Sequence, residues 1–258
     1  MRICWLRDTP DYDLTLALGD AISERTTVVC VGAVQFATGS QVDVAALAAR
    51  ARDAGARVVV DVTQMAGAAP VAMTRWGVDA LVCSGYKWLS APSGVALLAM
   101  TENLAAATPV IVGWKGSARP FEFTPQDLSL AADARRFELS TMSYSAATGL
   151  LTSIKLLTSL GLTAISEHAS RLAAELAEQT APLGWAPYRA PGDRSASGHI
   201  VSLRHPAATA DEVQAALASQ HKINTSSRGG GIRVSLHAYN SSDDIRALTQ
   251  ALASVGPR

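Results

Sequence analysis

Three polar residues in the first half of this 258-residue chain have types and spacing that suit covalent chemistry. Asp61 ends the apolar run 58–60, Gln64 follows shortly after it, and Lys87 follows the apolar run 80–83. A lysine in a partly desolvated pocket has a free amine that can form a Schiff base with an aldehyde. A carboxylate such as Asp61 can keep the nitrogen of a pyridine ring protonated, so that the ring accepts electrons. An ordinary interpretation is also open, in which Asp61 caps a turn and Lys87 is solvated.

A repeated order of strands and helices would position these residues. The apolar, β-branched run 27–34 predicts a strand buried on both faces, and 58–62 predicts the next strand. Between them, Asp43 begins a helix that ends at Gly55. Strand, helix and strand with short connections are typical of a parallel sheet, which indicates an α/β fold.

Further strands at 78–83 and 95–100 extend the predicted sheet on either side of Lys87. Open parallel sheets bind ligands beyond the carboxyl ends of their strands. The loops 35–39, 61–64 and 84–87 follow three such ends. We therefore expect these loops to converge on one crevice, which becomes the candidate site.

The C-terminal part of the chain has a different pattern. It shows helical periods at 145–160 and 163–180, strands at 199–204 and 232–239, and a last helix led by Asp243 and Asp244. We predict two domains, a large one over residues 1–160 and a small α+β one over 161–258. The large domain carries the mostly parallel sheet and the candidate site.

Composition narrows the classes of protein. The 22 basic and 22 acidic residues cancel, so the charge predicts neither a nucleic-acid partner nor an anionic membrane surface. Cys4, Cys30 and Cys83 form no CxxC pair, which fits a reducing cytosol and argues against a structural zinc site. No uninterrupted apolar stretch approaches the roughly 20 residues of a membrane helix, and the N-terminus has no signal-peptide pattern. We expect a cytoplasmic protein.

Several segments together resemble one enzyme family. VVVDVTQ (58–64) and RWGVDALVCSGYKWLSAPSGVALL (75–98) resemble the cofactor segments of the class V aminotransferases. These are fold-type I pyridoxal-phosphate (PLP) enzymes and include cysteine desulfurases and kynureninases. RFELST (136–141) and IRVSLHAYNSSDDIRAL (232–248) continue the resemblance in family order, so it spans nearly the whole chain.

The resemblance implies roles for the residues at the cofactor. Lys87 is the lysine that holds PLP as a Schiff base, and Asp61 pairs with the pyridinium nitrogen. Gln64 contacts the phenolic oxygen of the cofactor, and Ser84 binds its phosphate. Tyr86 stands where most members have histidine before the lysine, as in the kynureninase-like branch.

The resemblance also implies a substrate contact and a subunit contact. Arg233 matches the arginine that holds the α-carboxylate of an amino-acid substrate, for which a planar guanidinium is suited. Thr141 matches a threonine that reaches the phosphate of a neighbouring subunit, which implies a dimer with shared sites. His199 and His237 are expected to be structural.

Two departures from the family pattern affect these expectations. Residues 223–231 contain no cysteine, although desulfurases carry a mobile-loop persulfide acceptor before the arginine strand, so a persulfide relay is doubtful. Family members also have a further N-terminal segment of roughly a hundred residues, which supplies a phosphate-binding turn and a stacking aromatic ring. Nothing before Thr27 resembles these features. We expect an N-terminally truncated large domain, completed by a second polypeptide as in a split enzyme.

The function expected from these observations is PLP-dependent chemistry on an amino acid. C–S lyase and transaminase chemistry are both open, as are C–C lyase and epimerase chemistry. The alternative is a non-catalytic structural subunit or paralogue that keeps the fold for assembly. A nucleotide-binding oxidoreductase is disfavoured because no G-x-G-x-x-G motif follows a first strand.

Overall fold

The computed structural model describes residues 7–122, 126 and 129–256, and two four-stranded sheets lie within them. The strands are β1 Val28–Gly32, β2 Arg57–Asp61, β3 Ala80–Ser84, β4 Ala96–Met100, β5 Ala186–Pro187, β6 Ile200–Arg204, β7 Ser226–Arg228 and β8 Gly231–Ser235. The α-helices are α1 Leu14–Asp20, α2 Val44–Asp53, α3 Met73–Trp76, α4 Glu102–Ala105, α5 Tyr144–Leu160, α6 Leu162–Thr180, α7 Ala210–His221 and α8 Ser242–Val255. Short 3-10 helices lie at Trp114–Gly116, Ala134–Phe137 and Ala181–Leu183.

The first sheet has the strand order β1-β2-β3-β4. β1, β2 and β3 are parallel, and β4 runs antiparallel to β3. The mostly parallel sheet predicted for the large domain is therefore confirmed. Its register pairs Gly32 with Asp61 and Asp61 with Val82, so the carboxyl ends of the three parallel strands meet at one edge.

The local sequence explains the helix between β1 and β2. The Asp43 carboxylate accepts a hydrogen bond from the Ala46 N–H at 3.0 Å, which caps the amino end of α2 as predicted. Gly55 adopts a φ of 75° just after the helix, a conformation that glycine takes at little cost. Leu47, Ala48 and Ala51 are buried in the core beside the sheet.

The outer strands of this sheet are more exposed than expected. The prediction that the strand within 27–34 is buried on both faces is wrong for the described residues, because Val28 is 55% exposed. β1 lies at the edge of the described sheet, so among the described residues it has a neighbouring strand on one side only. At the other edge, Leu98 of β4 is 44% exposed.

The second sheet is antiparallel, with the order β5-β6-β8-β7. Helices α6, α7 and α8 supply apolar side chains that form a second core with this sheet, among them Leu172, Leu217 and Leu252. β8 is shorter than the predicted 232–239, because the chain turns after it. The Asn240 N–H donates to the His237 carbonyl in that turn.

The predicted domain boundary falls between α5 and α6. Gly161 separates these two helices with a φ of 87°. Ile165 of α6 belongs to the first core and Ala169 of α6 to the second, so this helix contributes to both. The division at residues 160 and 161 stays a prediction. Among the described residues, no single helix is long and apolar enough to cross a membrane. One pair of consecutive helical segments, Tyr144–Leu160 and Leu162–Leu183, reaches that length and apolar composition only when taken together, and the two are bent by 74°.

Candidate active site

The loops after β2 and β3 are joined at the carboxyl edge of the first sheet. Asp61 is the exposed last residue of β2, and its Oδ1 accepts a hydrogen bond of 2.8 Å from the Thr63 N–H. The Thr63 hydroxyl in turn accepts a 3.0 Å bond from the N–H of Ser84, the last residue of β3. Thr63, which the sequence pattern did not single out, therefore fixes the spacing between the Asp61 and Ser84 loops.

Lys87 lies in the turn that follows β3. Its ammonium is 5.0 Å from the centroid of the Tyr86 ring, and within the described part of the chain it forms no ion pair. Schiff-base chemistry requires a partly desolvated lysine, whereas Lys87 is exposed among the described residues.

Trp88 connects the lysine turn to the loop after β2. Its indole N–H donates a 3.0 Å hydrogen bond to the side-chain oxygen of Gln64. The Gln64 amide nitrogen is thereby left as a donor with no described partner. A negatively charged oxygen of a ligand needs such a hydrogen-bond donor.

Two histidines at the ends of strands of the second sheet hydrogen-bond to both loops: His199 precedes β6 and His237 follows β8. His199 Nε2 donates to the Gln64 carbonyl at 2.6 Å, and His237 Nε2 donates to the Trp88 carbonyl at 3.1 Å. The Trp88 ring meets His199 edge-on at 4.5 Å and stacks on His237 at 5.7 Å. Both histidines are buried, as expected for structural residues.

The electrostatics of His199 fit its role as a donor. Burial lowers the pKa of His199 to about 4, and the hydrogen bond to Gln64 opposes that shift only in part. The imidazole is therefore neutral near pH 7, with its one N–H on the nitrogen that faces the Gln64 carbonyl. From the sequence alone, His199 is recognisable only as a polar residue at the start of an apolar strand.

Arg233 reaches the same edge from β8. Its Nη1 donates a 3.0 Å hydrogen bond to the carbonyl of Phe36, in the loop after β1. The guanidinium is half-buried, and its Nε has no hydrogen-bond partner among the described residues. Burial, followed by the charge of Arg228, lowers the pKa of Arg233. The predicted loop 35–39 thus meets the second sheet through the predicted substrate arginine.

Thr141 is not joined to the other predicted site residues by any described contact. It is exposed and lies between the 3-10 helix Ala134–Phe137 and α5. The resemblance assigned it to the site of a neighbouring subunit, which a single chain does not test. Its role stays a prediction.

The described cysteines do not resemble reactive thiols at the site. Burial raises the pKa of Cys83 to about 11, and the nearby charge of Asp61 adds to that shift. Cys83 is therefore a protonated thiol at neutral pH. Cys30 is exposed on β1, and Cys4 lies outside the described residues.

Comparison with known proteins places this geometry in a family. The family model Aminotransferase class-V matches residues 1–248. The chain belongs to the class V aminotransferase family. The family expected from the motifs around Asp61, Lys87 and Arg233 is therefore confirmed.

Its relatives include several kinds of family member. The chain is 28% identical over 234 residues to an uncharacterized aminotransferase, YcbU, of Bacillus subtilis, a match covering 90% of this chain and 60% of that protein. It is 32% identical over 209 residues to a kynureninase of Deinococcus radiodurans, covering 76% of this chain and 50% of that one. A probable cysteine desulfurase of Aeropyrum pernix is 26% identical over 267 residues, with coverages of 96% and 64%.

Solved structures confirm the fold. An apo structure of a cysteine desulfurase from Thermococcus onnurineus NA1 superposes with a TM-score of 0.84 at 24% identity, covering 97% of this chain and 65% of that one. A cystine C–S lyase, C-DES, superposes with a TM-score of 0.83, also at 24% identity. In each of these comparisons the chain spans less than two thirds of the other protein's length.

Proposed function

We propose that this class V chain binds PLP and acts on an amino acid, with Lys87 as the covalent attachment point. One observation carries the proposal. Asp61 and Lys87 follow neighbouring parallel strands at the same edge of the sheet, and neither has an ionic partner among the described residues. Exposed groups of this kind at a strand edge are available to a ligand.

The unused hydrogen-bonding capacity of the site fits PLP. Asp61 uses Oδ1 on Thr63, which leaves Oδ2 to accept from a protonated ring nitrogen. The Gln64 amide nitrogen can donate to the phenolic oxygen, because the Gln64 oxygen is held by Trp88. Ser84 offers a hydroxyl for a phosphate oxygen, and Lys87 has an amine for the aldehyde. An acceptor, two donors and an amine match the functional groups of this cofactor.

The residues then have separate tasks. When bound, PLP withdraws electrons from the α-carbon of an amino acid and so weakens the bonds at that carbon. The Asp61 carboxylate keeps the ring nitrogen protonated, which sustains that withdrawal. Lys87 would hold the cofactor and would supply the acid and base for the proton at the α-carbon. Arg233 pairs with the α-carboxylate and so orients the substrate.

We propose one cofactor, PLP, but leave two classes of reaction open. Relatives are named as an aminotransferase, kynureninases and cysteine desulfurases, so C–S lyase and transaminase chemistry both fit. The protonated, buried Cys83 is a poor sulfur acceptor. We therefore favour chemistry that does not store sulfur on a described cysteine of this chain.

We also propose that a second polypeptide completes the site, as in a heterodimeric, split enzyme. Three observations support this arrangement: the exposed Lys87, the open edge at Val28, and the exposed apolar Leu98 on β4. The occupant would be the polypeptide that supplies the part of the relatives' length outside the match. It would cover the two strand edges and exclude water from Lys87. A cytoplasmic location stays a prediction.

The test of the cofactor proposal traps the attachment. The chain, with any co-purifying polypeptide, is incubated with PLP, reduced with borohydride and digested. Mass spectrometry should find the pyridoxyl adduct on Lys87, and a visible absorbance band should be lost on reduction. Lys87→Ala should lose both signals, whereas Lys155→Ala, at an exposed lysine of α5, should keep them. A folded chain without the adduct would favour the alternative, a non-catalytic structural subunit.

A further inference from the structure

Three arginines lie on one face of the second sheet. The register pairs Leu203 of β6 with Ile232 of β8, which sets Arg204 opposite Gly231, and Gly231 also pairs with Arg228 of β7. Arg233 is two residues along β8 from Gly231, so its side chain points to the same face. Arg204 and Arg228 therefore flank Gly231, and Arg233 lies two residues further along β8 on the same face.

These charges have no acidic partner in the described part of the chain. Arg204 donates to the Gly229 carbonyl and stacks over the Tyr188 ring, 4.1 Å from its centroid. Arg228 donates only to the carbonyl of its neighbour Ser227. Arg233 donates to the carbonyl of Phe36. None of the three arginines forms an ion pair with a described carboxylate.

Asp8 comes near this face, but its carboxylate is already paired with another arginine. The Asp8 backbone carbonyl accepts from the Tyr188 hydroxyl beneath Arg204. The Asp8 carboxylate, however, accepts from Arg189 at 2.9 Å and from Thr38 and Ser40 at 2.5 and 2.9 Å. Its single negative charge is thus paired with Arg189 and not with any of the three arginines.

Unpaired buried polar atoms gather on the same face. The described residues contain five buried side-chain nitrogen or oxygen atoms without a hydrogen-bond partner, and three of them are here: Ser202 Oγ, Arg204 Nε and Arg233 Nε. Ser202 is 1% exposed, and its hydroxyl lies 2.4 Å from where a side chain of Gly231 would begin. Buried polar groups are seldom left unpaired, so such a cluster indicates a missing acceptor.

We propose that this face binds a second anionic group of the substrate, so that the substrate is an amino diacid. The inference rests on the proposed function, in which Arg233 takes the α-carboxylate. Arg204 and Arg228, on either side of Gly231, would take the second carboxylate at their guanidinium ends, which gives both guanidiniums a charged acceptor. Residues two apart on a strand are about 7 Å apart. The two carboxylates of a short amino diacid such as glutamate can span that separation.

The spacing also explains why the central residue is glycine. A side chain at Gly231 would meet the Ser202 hydroxyl and, at 3.3 Å, the Cγ of Arg204. Glycine at this position therefore allows Ser202 and Arg204 to pack closely across the strands, on the face that carries the three arginines. Guanidinium groups bind carboxylates in a planar, two-point geometry, which selects for charge and for direction.

The first test needs no cofactor. Glutarate, which has the carboxylate spacing of glutamate, and its monoamide glutaramate are titrated by calorimetry into the full chain with any co-purifying polypeptide, at one ionic strength. We expect glutarate to bind about tenfold more tightly, the gain of one added charge-assisted contact. Equal affinities, or no binding of either, would overturn the proposal.

Variants decide whether the preference comes from this face. Arg228→Gln changes an exposed residue and should bring the affinity ratio close to one, as should Arg204→Gln. Arg194→Gln is the matched control, because Arg194 is 83% exposed and pairs with Asp13. A ratio that survives in both Arg204→Gln and Arg228→Gln contradicts the proposal.

The last arm separates the two proposals. In the PLP-loaded chain, L-glutamate should change the visible spectrum at about tenfold lower concentration than L-glutamine, again the gain of one charge-assisted contact. Equal concentrations would exclude an amino-diacid substrate. If Lys87 carries no adduct but glutarate is still preferred, the anion site stands and the cofactor proposal fails. If Lys87 carries the adduct and glutarate is not preferred, the cofactor proposal stands and the anion site fails.

Discussion

Trp88 directly follows Lys87 and is held in place by three contacts. Its indole N–H binds Gln64, its carbonyl accepts from His237, and its ring lies between two imidazoles. A lysine on an exposed turn has many conformations, so its direction depends on this neighbour. The predicted chemistry of Lys87 therefore depends on a residue whose type alone suggests only core packing.

Replacing Trp88 by phenylalanine tests this positioning. Trp88→Phe keeps most of the ring but removes the hydrogen bond to Gln64, so we expect a loss of about 1 kcal/mol in the free energy of unfolding. The affinity for PLP should fall as well, because Gln64 is no longer oriented. Urea unfolding and a PLP titration measure the two effects. Trp76→Phe is the control, since the described residues give its N–H no hydrogen bond; an equal loss of PLP affinity there would contradict the positioning role.

The two described cysteines should differ sharply in reactivity. Burial raises the pKa of Cys83 to about 11, so almost none of it is thiolate at neutral pH. Cys30 is exposed and should react with an aromatic disulfide reagent first. In a Cys4→Ser background, we expect one fast thiol, removed by Cys30→Ser, and one that reacts only on unfolding. Fast labelling of Cys83 in the folded chain would show that the thiol is accessible and would reopen a persulfide role.

At the scale of elements, a close backbone approach holds the loop after β2 against the lysine turn. Gly67 has a φ of 103°, and a side chain there would begin 2.2 Å from the Trp88 carbonyl oxygen. That oxygen is the acceptor of the His237 hydrogen bond. A larger residue at this position would therefore displace the turn that carries Lys87.

A pair of glycine variants separates this clash from simple backbone strain. Gly67→Ala and Gly192→Ala both place alanine at positive φ, but nothing lies within 4 Å of the new atom at Gly192. We expect Gly67→Ala to lose about 1–3 kcal/mol more stability than Gly192→Ala, the usual cost of overpacking. Urea unfolding of both variants measures the difference. Equal losses would mean that the approach to Trp88 does not matter.

The contact between β6 and the Gln64 loop predicts a pH dependence. The pKa of His199 is about 4 when folded, against an ordinary value of 6.5, so between these values only the unfolded state takes up the proton. Stability therefore falls as the pH falls from 6.5 to about 4 and then levels off. The loss amounts to about 3 kcal/mol at most, at roughly 1.36 kcal/mol per pKa unit.

The conservative variant His199→Gln isolates this effect. A glutamine amide can still donate to the Gln64 carbonyl but takes up no proton. The difference in unfolding free energy between parent and variant should narrow or reverse in favour of the variant as the pH falls through this window. Parallel curves for His199→Gln and the parent would contradict the buried, neutral imidazole.

These elements show where prediction from sequence succeeds and where it stops. β2 and β3 are predicted because apolar runs alternate with capped helices, and their register then places Asp61 and Ser84 at one edge. His199 and His237 come from far along the chain, and only tertiary packing brings them under the site. The sequence left the exposure of Lys87 open, because an apolar strand pattern indicates the core beside the lysine and not what covers it.

At the scale of the whole molecule, one buried arginine joins the start of the described chain to the second sheet. Arg189 donates to the Asp8 carboxylate, to the carbonyls of Thr9 and Tyr12, and to the Ser40 hydroxyl. Its side chain is 4% exposed, and that of Asp8 is 14% exposed. The network ties segment 8–12 and the loop after β1 to the sheet that carries Arg233.

Removing this arginine should therefore weaken the whole fold. Arg189→Met leaves the Asp8 carboxylate buried without its ionic partner, so we expect a loss of about 3–5 kcal/mol in the free energy of unfolding. That is a large fraction of the total stability of about 5–15 kcal/mol typical of a domain. Arg194→Gln removes an exposed arginine from the same loop region and should cost less than about 1 kcal/mol. Urea unfolding followed by tryptophan fluorescence measures the stability of both variants. The double variant Asp8→Asn, Arg189→Met should recover part of the stability lost in Arg189→Met, because no buried charge is then left unpaired. Similar small losses in Arg189→Met and Arg194→Gln would show that the network does not couple the two sheets.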